Sequence, residues 1–152
     1  MINLNIQIED LISKNASDFE ISKVFKTYYK NYLASIDTTV ETTGGKDFFI
    51  KHTKHTDKFL IQLYKYILRK NFASHQPMST SIPITLVALG SYGREQLCIY
   101  SDIDILILYE NVQGYNLKKL MEEFITLAWD CGLKLGSRVH ELKEISEAVK
   151  ED

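Results

Sequence analysis

Apolar positions along the chain follow a helical period up to about residue 72 and a different pattern from Ile84 onward. In the first part, Ser17-Asp18-Phe19-Glu20 fits a capping box, in which the Ser hydroxyl and the Glu carboxylate each satisfy an orphan amide at a helix start. The run that follows places Phe19, Val24, Phe25, Tyr28, Tyr29 and Tyr32 at mixed three- and four-residue steps, an aromatic stripe expected to be core. Gly44-Gly45 breaks the chain. Lys46 to Phe72 then resumes the helical period through Phe48, Phe49, His52, Thr56, Phe59, Leu63, Tyr64 and Ile67. One face of this helix, with Phe48, Phe59, Leu63 and Ile67, needs a covering surface, either the rest of the chain or a second copy in a homodimer.

Ser74 to Pro83, rich in Ser, Thr and Pro, reads as a linker or surface loop. Beyond it "ITLVALG" and "DIDILILYE" are short apolar runs of the kind that form buried strands, the second apolar on both faces after its first three residues. Between and after them lie a turn at Gly90-Ser91 with Gly93 close behind, a helix over "NLKKLMEEFITLAWDCG", a candidate third strand in "LKLGSRVHE" and a last helix in "LKEISEAVK". The helix is expected near 116–131, with Leu117, Leu120, Met121, Phe124, Leu127 and Ala128 on one face, and the strands near 84–90, 102–109 and 133–140. The fold class expected is α/β (α+β): a small mixed sheet preceded by a helical segment, with residues 1–80 as that segment and 81–152 as the core of one compact unit.

Composition narrows the partners. With 152 residues, 45% of them apolar and 25% charged, the chain can fill one core, and a formal net charge of −2 gives no electrostatic footprint for nucleic acid. No basic leader with an apolar run behind it opens the chain and no window is long and apolar enough to span a membrane, so a cytoplasmic protein without membrane or nucleic-acid partners is expected. Cys98 and Cys131 lack any CxxC or nearby ligand pattern and read as two partly buried thiols rather than a disulfide or a zinc site. His52 and His55, three apart on the long helix, have no supporting third ligand and read as solvated or packed histidines.

The chemistry concentrates in "ALGSYGREQLCIYSDIDILILYE", Ala88 to Glu110. Residues two apart on a strand share a face, so Asp102 and Asp104 project together with Cα atoms about 6.6 Å apart. Two ionised carboxylates so close are costly unless a cation lies between them, and an all-oxygen pair suits a hard divalent ion such as Mg²⁺ that completes its shell with water and phosphate oxygens. Gly90 at a strand end lets a phosphate approach the backbone, the turn presents N–H groups, Ser91 adds a hydroxyl donor and Arg94 lies close by. Gly-Ser, ten residues, then Asp-Ile-Asp brings a phosphate cradle and metal carboxylates together on neighbouring strands.

At these residues the chain resembles the nucleotidyltransferases of the DNA polymerase β fold, whose motif is a Gly-Ser or Gly-Gly pair, a spacer of similar length and an Asp-x-Asp that holds Mg²⁺. It is more closely similar to the N-terminal domain of bacterial PII-protein uridylyltransferase and related nucleotidyltransferases, in Ser91-Tyr92-Gly93-Arg94, Leu97, Tyr100-Ser101, Asp102-Ile103-Asp104 and again in "LAWDCGLKLGSRV", Leu127 to Val139. The likeness covers roughly Ile84 to Glu144. It departs from the pattern at Gly90-Ser91, often Gly-Gly in the family, and at His140, where an Arg is usual. The wider fold places a third carboxylate on the third strand, for which Glu141, at the strand's edge, is the candidate here. The uridylyltransferase would continue past Glu151-Asp152 into a helical domain, a metal-dependent hydrolase domain and ligand-sensing domains, so the resemblance leads one to expect that this chain is a fragment of a longer architecture.

The resemblance implies an enzyme with the polymerase β-type fold, catalytic and metal-binding Asp102 and Asp104, nucleotide-binding Gly90, Ser91 and Arg94, and Mg²⁺ or Mn²⁺ as cofactor. Its reaction would move a nucleoside monophosphate from a nucleoside triphosphate to a hydroxyl of a protein or small molecule, with release of pyrophosphate. The alternative is a nucleotide-binding regulatory module with the same fold and no turnover by itself.

Overall fold

The computed structural model describes residues 2–36, 45–72 and 82–151. Helices α1 (Ile2–Ser13), α2 (Asp18–Ser35) and α3 (Gly45–Phe72) precede strand β1 (Ile84–Ala88), the one-turn helix α4 (Gly90–Gly93), β2 (Ile103–Tyr109), α5 (Leu117–Asp130), β3 (Leu135–Glu141) and α6 (Leu142–Glu151). The mixed α/β architecture and the three strands are those expected from the sequence. Gly44 and residues 74–81 of the expected loop lie outside the described residues.

Local signals account for the helix starts. Ser17 caps α2 by accepting the amide of Glu20 at 3.2 Å, and Asn116 caps α5 by accepting that of Lys119 at 3.1 Å. The sheet has the order β1-β2-β3. β1 and β2 run antiparallel with Val87 opposite Leu106, whereas β2 and β3 run parallel with Asp104 opposite Gly136 and Tyr109 opposite Glu141. The parallel return is carried by α5, whose expected face, Leu117, Leu120, Met121, Phe124, Leu127 and Ala128, is entirely buried.

The core joins the helical segment to the sheet. Phe25, Phe59, Leu63 and Phe124 are almost fully buried in one cluster with Ile103, Ile105 and Ile107 of β2. Phe59, Leu63 and Ile67 of α3 therefore find their covering surface within the chain, by packing against α2 and α5. The histidines are packed: His52 is buried with its Nδ1 2.8 Å from the Tyr32 hydroxyl, and His55 stacks on the Tyr32 ring and lies 3.2 Å from the Tyr28 hydroxyl.

Three expectations need correction. Phe19, the first member of the aromatic stripe, is 75% exposed, because it sits in the first turn of α2 ahead of the face formed by Ile21, Phe25 and Tyr29. The strands are not buried on both faces: β1 has no fully buried residue, and on β2 Ile103, Ile105 and Ile107 are buried while Leu106 and Leu108 are half-buried. Helices cover one side of the sheet, and the other, which carries Asp104, is open. The thiols also differ, for Cys131 is buried and its pKa is raised by that burial to about 12, whereas Cys98 is exposed.

Candidate functional site

The turn after β1 is built from glycines with distinct duties. Gly90 has φ +58°, a left-handed conformation that side chains rarely adopt, and this lets the chain leave the strand abruptly into α4. Gly93 packs so tightly that a Cβ there would stand 2.7 Å from the carbonyl oxygen of Ala88. The turn is closed by Gly93 N–H donating to the Leu89 carbonyl at 2.9 Å and Arg94 N–H donating to the Gly90 carbonyl at 3.2 Å. The amides that begin a helical turn have no carbonyl behind them within it, and at α4 the residue before the turn, Leu89, supplies no side-chain cap.

Asp104 sits beside this turn. Its carbonyl accepts the Leu89 amide at 2.8 Å, which stitches the end of β1 to β2. Its carboxylate fits between two glycines: a Cβ on Gly90 would lie 2.9 Å from Oδ2, and one on Gly136 would lie 2.7 Å from Oδ1. Asp102 precedes β2 and, like Asp104, is exposed. The loop that delivers it is pinned by buried Leu97 and Ile99 and by the Ile103 amide donating to the Lys134 carbonyl at 2.8 Å.

Gly90, Ser91, Asp102 and Asp104 are thus gathered at one end of the sheet. Arg94 follows at the end of α4, with its Nε 3.4 Å from Oε1 of Gln96, and lines an open cleft of about 560 Å³ with Lys46, Phe49 and Ile50 of α3. Glu141 is not brought to this group. It pairs with Tyr109, five positions beyond Asp104 on β2 and so about 16 Å away along the strand.

A divalent cation fits the residues present in donor chemistry. Asp102 and Asp104 offer hard carboxylate oxygens, neither is in an ion pair among the described residues, and the backbone on both sides of Asp104 is cleared of side-chain atoms. No group of three or more His, Cys, Asp or Glu that could hold a metal occurs among the described residues, so the remaining ligands would have to come from water and phosphate.

Two features were missed in the sequence reading. Gly136 carried a readable signal, since a glycine inside a strand pattern marks a close approach by another group. Asp57 of α3, which accepts a hydrogen bond from the hydroxyl of Tyr92 on α4, carried none, because the pair is separated by 35 positions.

Comparison with known proteins identifies the family. The nucleotidyltransferase domain family matches residues 66–151, more than half of the chain. A bifunctional uridylyltransferase/uridylyl-removing enzyme of Hydrogenovibrio crunogenus is 41% identical over 99 residues, which is 65% of this chain and 10% of that protein. Enzymes of the same description from Pseudomonas aeruginosa and Haemophilus influenzae are 42% and 33% identical over 45% and 63% of this chain, and over 8% and 10% of their own length. The chain therefore spans about a tenth of the length of these relatives. No solved structure matches it. The chain belongs to the nucleotidyltransferase domain family, a family of transferases.

Proposed function

We propose that this chain binds a nucleoside triphosphate and a divalent cation, Mg²⁺ or Mn²⁺, and transfers the nucleoside monophosphate to a hydroxyl of a protein or small molecule in the cytoplasm. The observation that carries the reading is the seating of the Asp104 carboxylate between the Gly90 and Gly136 backbones, beside the Gly90–Gly93 turn. Residues 81–152 form the unit bearing this chemistry, and the helical segment 1–80 backs it.

The amides of Gly90 and Ser91 and the Ser91 hydroxyl hold phosphate oxygens, and Arg94 adds positive charge at the end of the turn. Asp102 and Asp104 hold the cation, which when bound neutralises charge on the phosphate oxygens. Because these groups are fixed by β1, β2 and α4, the α-phosphorus is presented to the acceptor in one orientation. The acceptor oxygen forms its bond to the α-phosphorus as the bond from that phosphorus to pyrophosphate breaks, and the hydroxyl proton leaves to water.

A second reading is favoured by the position of Glu141, remote from the pair, and by the lack of a third acidic ligand among the described residues. In it the chain binds the nucleotide as a regulatory module without turnover. A thermal-shift screen of the four ribonucleoside triphosphates with Mg²⁺ tests both readings. Stabilisation by at least one is expected, and none by any would end them. Pyrophosphate release in the presence of a protein acceptor then separates an enzyme from a binding module.

A further inference from the structure

Tyr92 stands in the middle of α4, yet its ring turns away from the open side and into the core, where it is 5% exposed. Its hydroxyl donates to Oδ1 of Asp57, on the long helix α3 and outside the residues matched by the family. The turn is thereby fixed at three points. Gly90 lies against Asp104, Gly93 lies against the end of β1, and Tyr92 reaches down to α3. The first two are contacts with the sheet, and the third is a hydrogen bond to a half-buried carboxylate of the helical segment.

A phenylalanine ring would fill the same space, whereas the hydroxyl of Tyr92 adds a hydrogen bond that offsets the cost of holding the Asp57 carboxylate half-buried. Burial and the bond to Asp57 both push the Tyr92 hydroxyl above its ordinary pKa, so it remains a donor throughout the neutral range. A hydrogen bond to a charged acceptor is directional and about twice as strong as a neutral one, and so it can set the rotation of a single helical turn.

We infer that Asp57 is a positioning residue which, through Tyr92, holds the Gly90–Gly93 turn in the shape that receives the triphosphate. The inference rests on the nucleotide-binding reading above and extends the site to the helical segment. Asp57 touches no phosphate and acts only through the tyrosine.

The test compares Tyr92→Phe, Asp57→Ala, the double variant and Asp57→Asn in the full chain. Amide exchange without nucleotide reads the turn directly, because the amides of Gly93 and Arg94 are protected by their bonds to the Leu89 and Gly90 carbonyls. Exchange at these amides is expected to rise about tenfold in the first two variants, with β2 unchanged. Affinity for the triphosphate chosen by the wild-type screen, with Mg²⁺, should fall about tenfold in each. The double variant should be no worse than either single one, and Asp57→Asn, which keeps an acceptor oxygen, should stay within about threefold of wild type. Unchanged exchange at Gly93 and Arg94 overturns the inference, as does faster exchange with unchanged affinity. If the wild type binds no triphosphate, the nucleotide reading has failed, and the exchange result still decides whether Asp57 orders the turn.

Discussion

Gly136 lies so close to Asp104 that a Cβ on it would stand 2.7 Å from Oδ1, although its own backbone is not left-handed. This separates two effects that Gly90 combines, namely the need for positive φ and the need for space. Gly136→Ala should therefore displace the Asp104 carboxylate without straining the chain. We expect the variant to keep its fold by circular dichroism and to lose at least tenfold in affinity for the Mg²⁺-nucleotide. Wild-type affinity in titration calorimetry would show that the carboxylate moves freely and that its seat is irrelevant.

Asp104→Asn preserves size and removes one negative charge from the exposed pair Asp102 and Asp104. Relief of repulsion should leave the melting temperature without ligand no lower than wild type. The stabilisation conferred by Mg²⁺-nucleotide, about 2.7 kcal/mol when the ligand is at a hundred times its Kd, should vanish. Asp102→Asn should behave alike. A lowered melting temperature with the ligand shift retained would make the pair structural.

Burial lowers the pKa of His55 from its ordinary 6.5 to about 4, so the folded protein keeps this imidazole neutral where the unfolded chain protonates it. The contribution is fully present above pH 6.5 and is lost as pH falls toward 4. Urea denaturation at pH 7.5 and 5.0 should show wild type losing stability between the two. His55→Phe, which keeps a ring against Tyr32, should lose less, and an identical loss in both proteins would exclude His55 as the cause.

Glu95, one residue beyond Arg94, has φ 56°, a conformation unfavourable for a residue with a Cβ. Glu95→Gly should raise stability by ~0.5–1 kcal/mol, which for a domain of this size is about 1–4 °C in Tm by calorimetry. A fall in Tm would mean that the glutamate side chain contributes more than the strain costs.

The elements that were legible in the sequence are those whose signals are local. Ser17 announced its helix because a cap is a contact between residues three apart. The buried faces of α3 and α5 were legible because periodicity reports burial directly. The unbroken Ile and Leu run from Ile105 to Leu108 in β2, by contrast, cannot distinguish one covered face from two, and only the packing shows that Leu106 and Leu108 are left half-buried. At the site, the pair Asp102 and Asp104 and the turn at Gly90 were legible as spacing. The partner of that turn was not, since Asp57 joins Tyr92 across 35 positions; Gly136 was marked as a glycine inside a strand, but which group it admits follows only from its pairing with Asp104.

The two sides of β2 carry opposite instructions, Ile103, Ile105 and Ile107 toward the helices and Asp104 toward the open side. A slip of one residue in its pairing would exchange them, driving a carboxylate into the apolar interior and turning three isoleucines to water. Misregistered chains would therefore be both unstable and without the carboxylate pair proposed to hold the cation. Selection for a stable fold alone is enough to keep Asp104 aimed correctly, and mutations that improve the isoleucine layer should improve the fidelity of the site even though none of them lies in it.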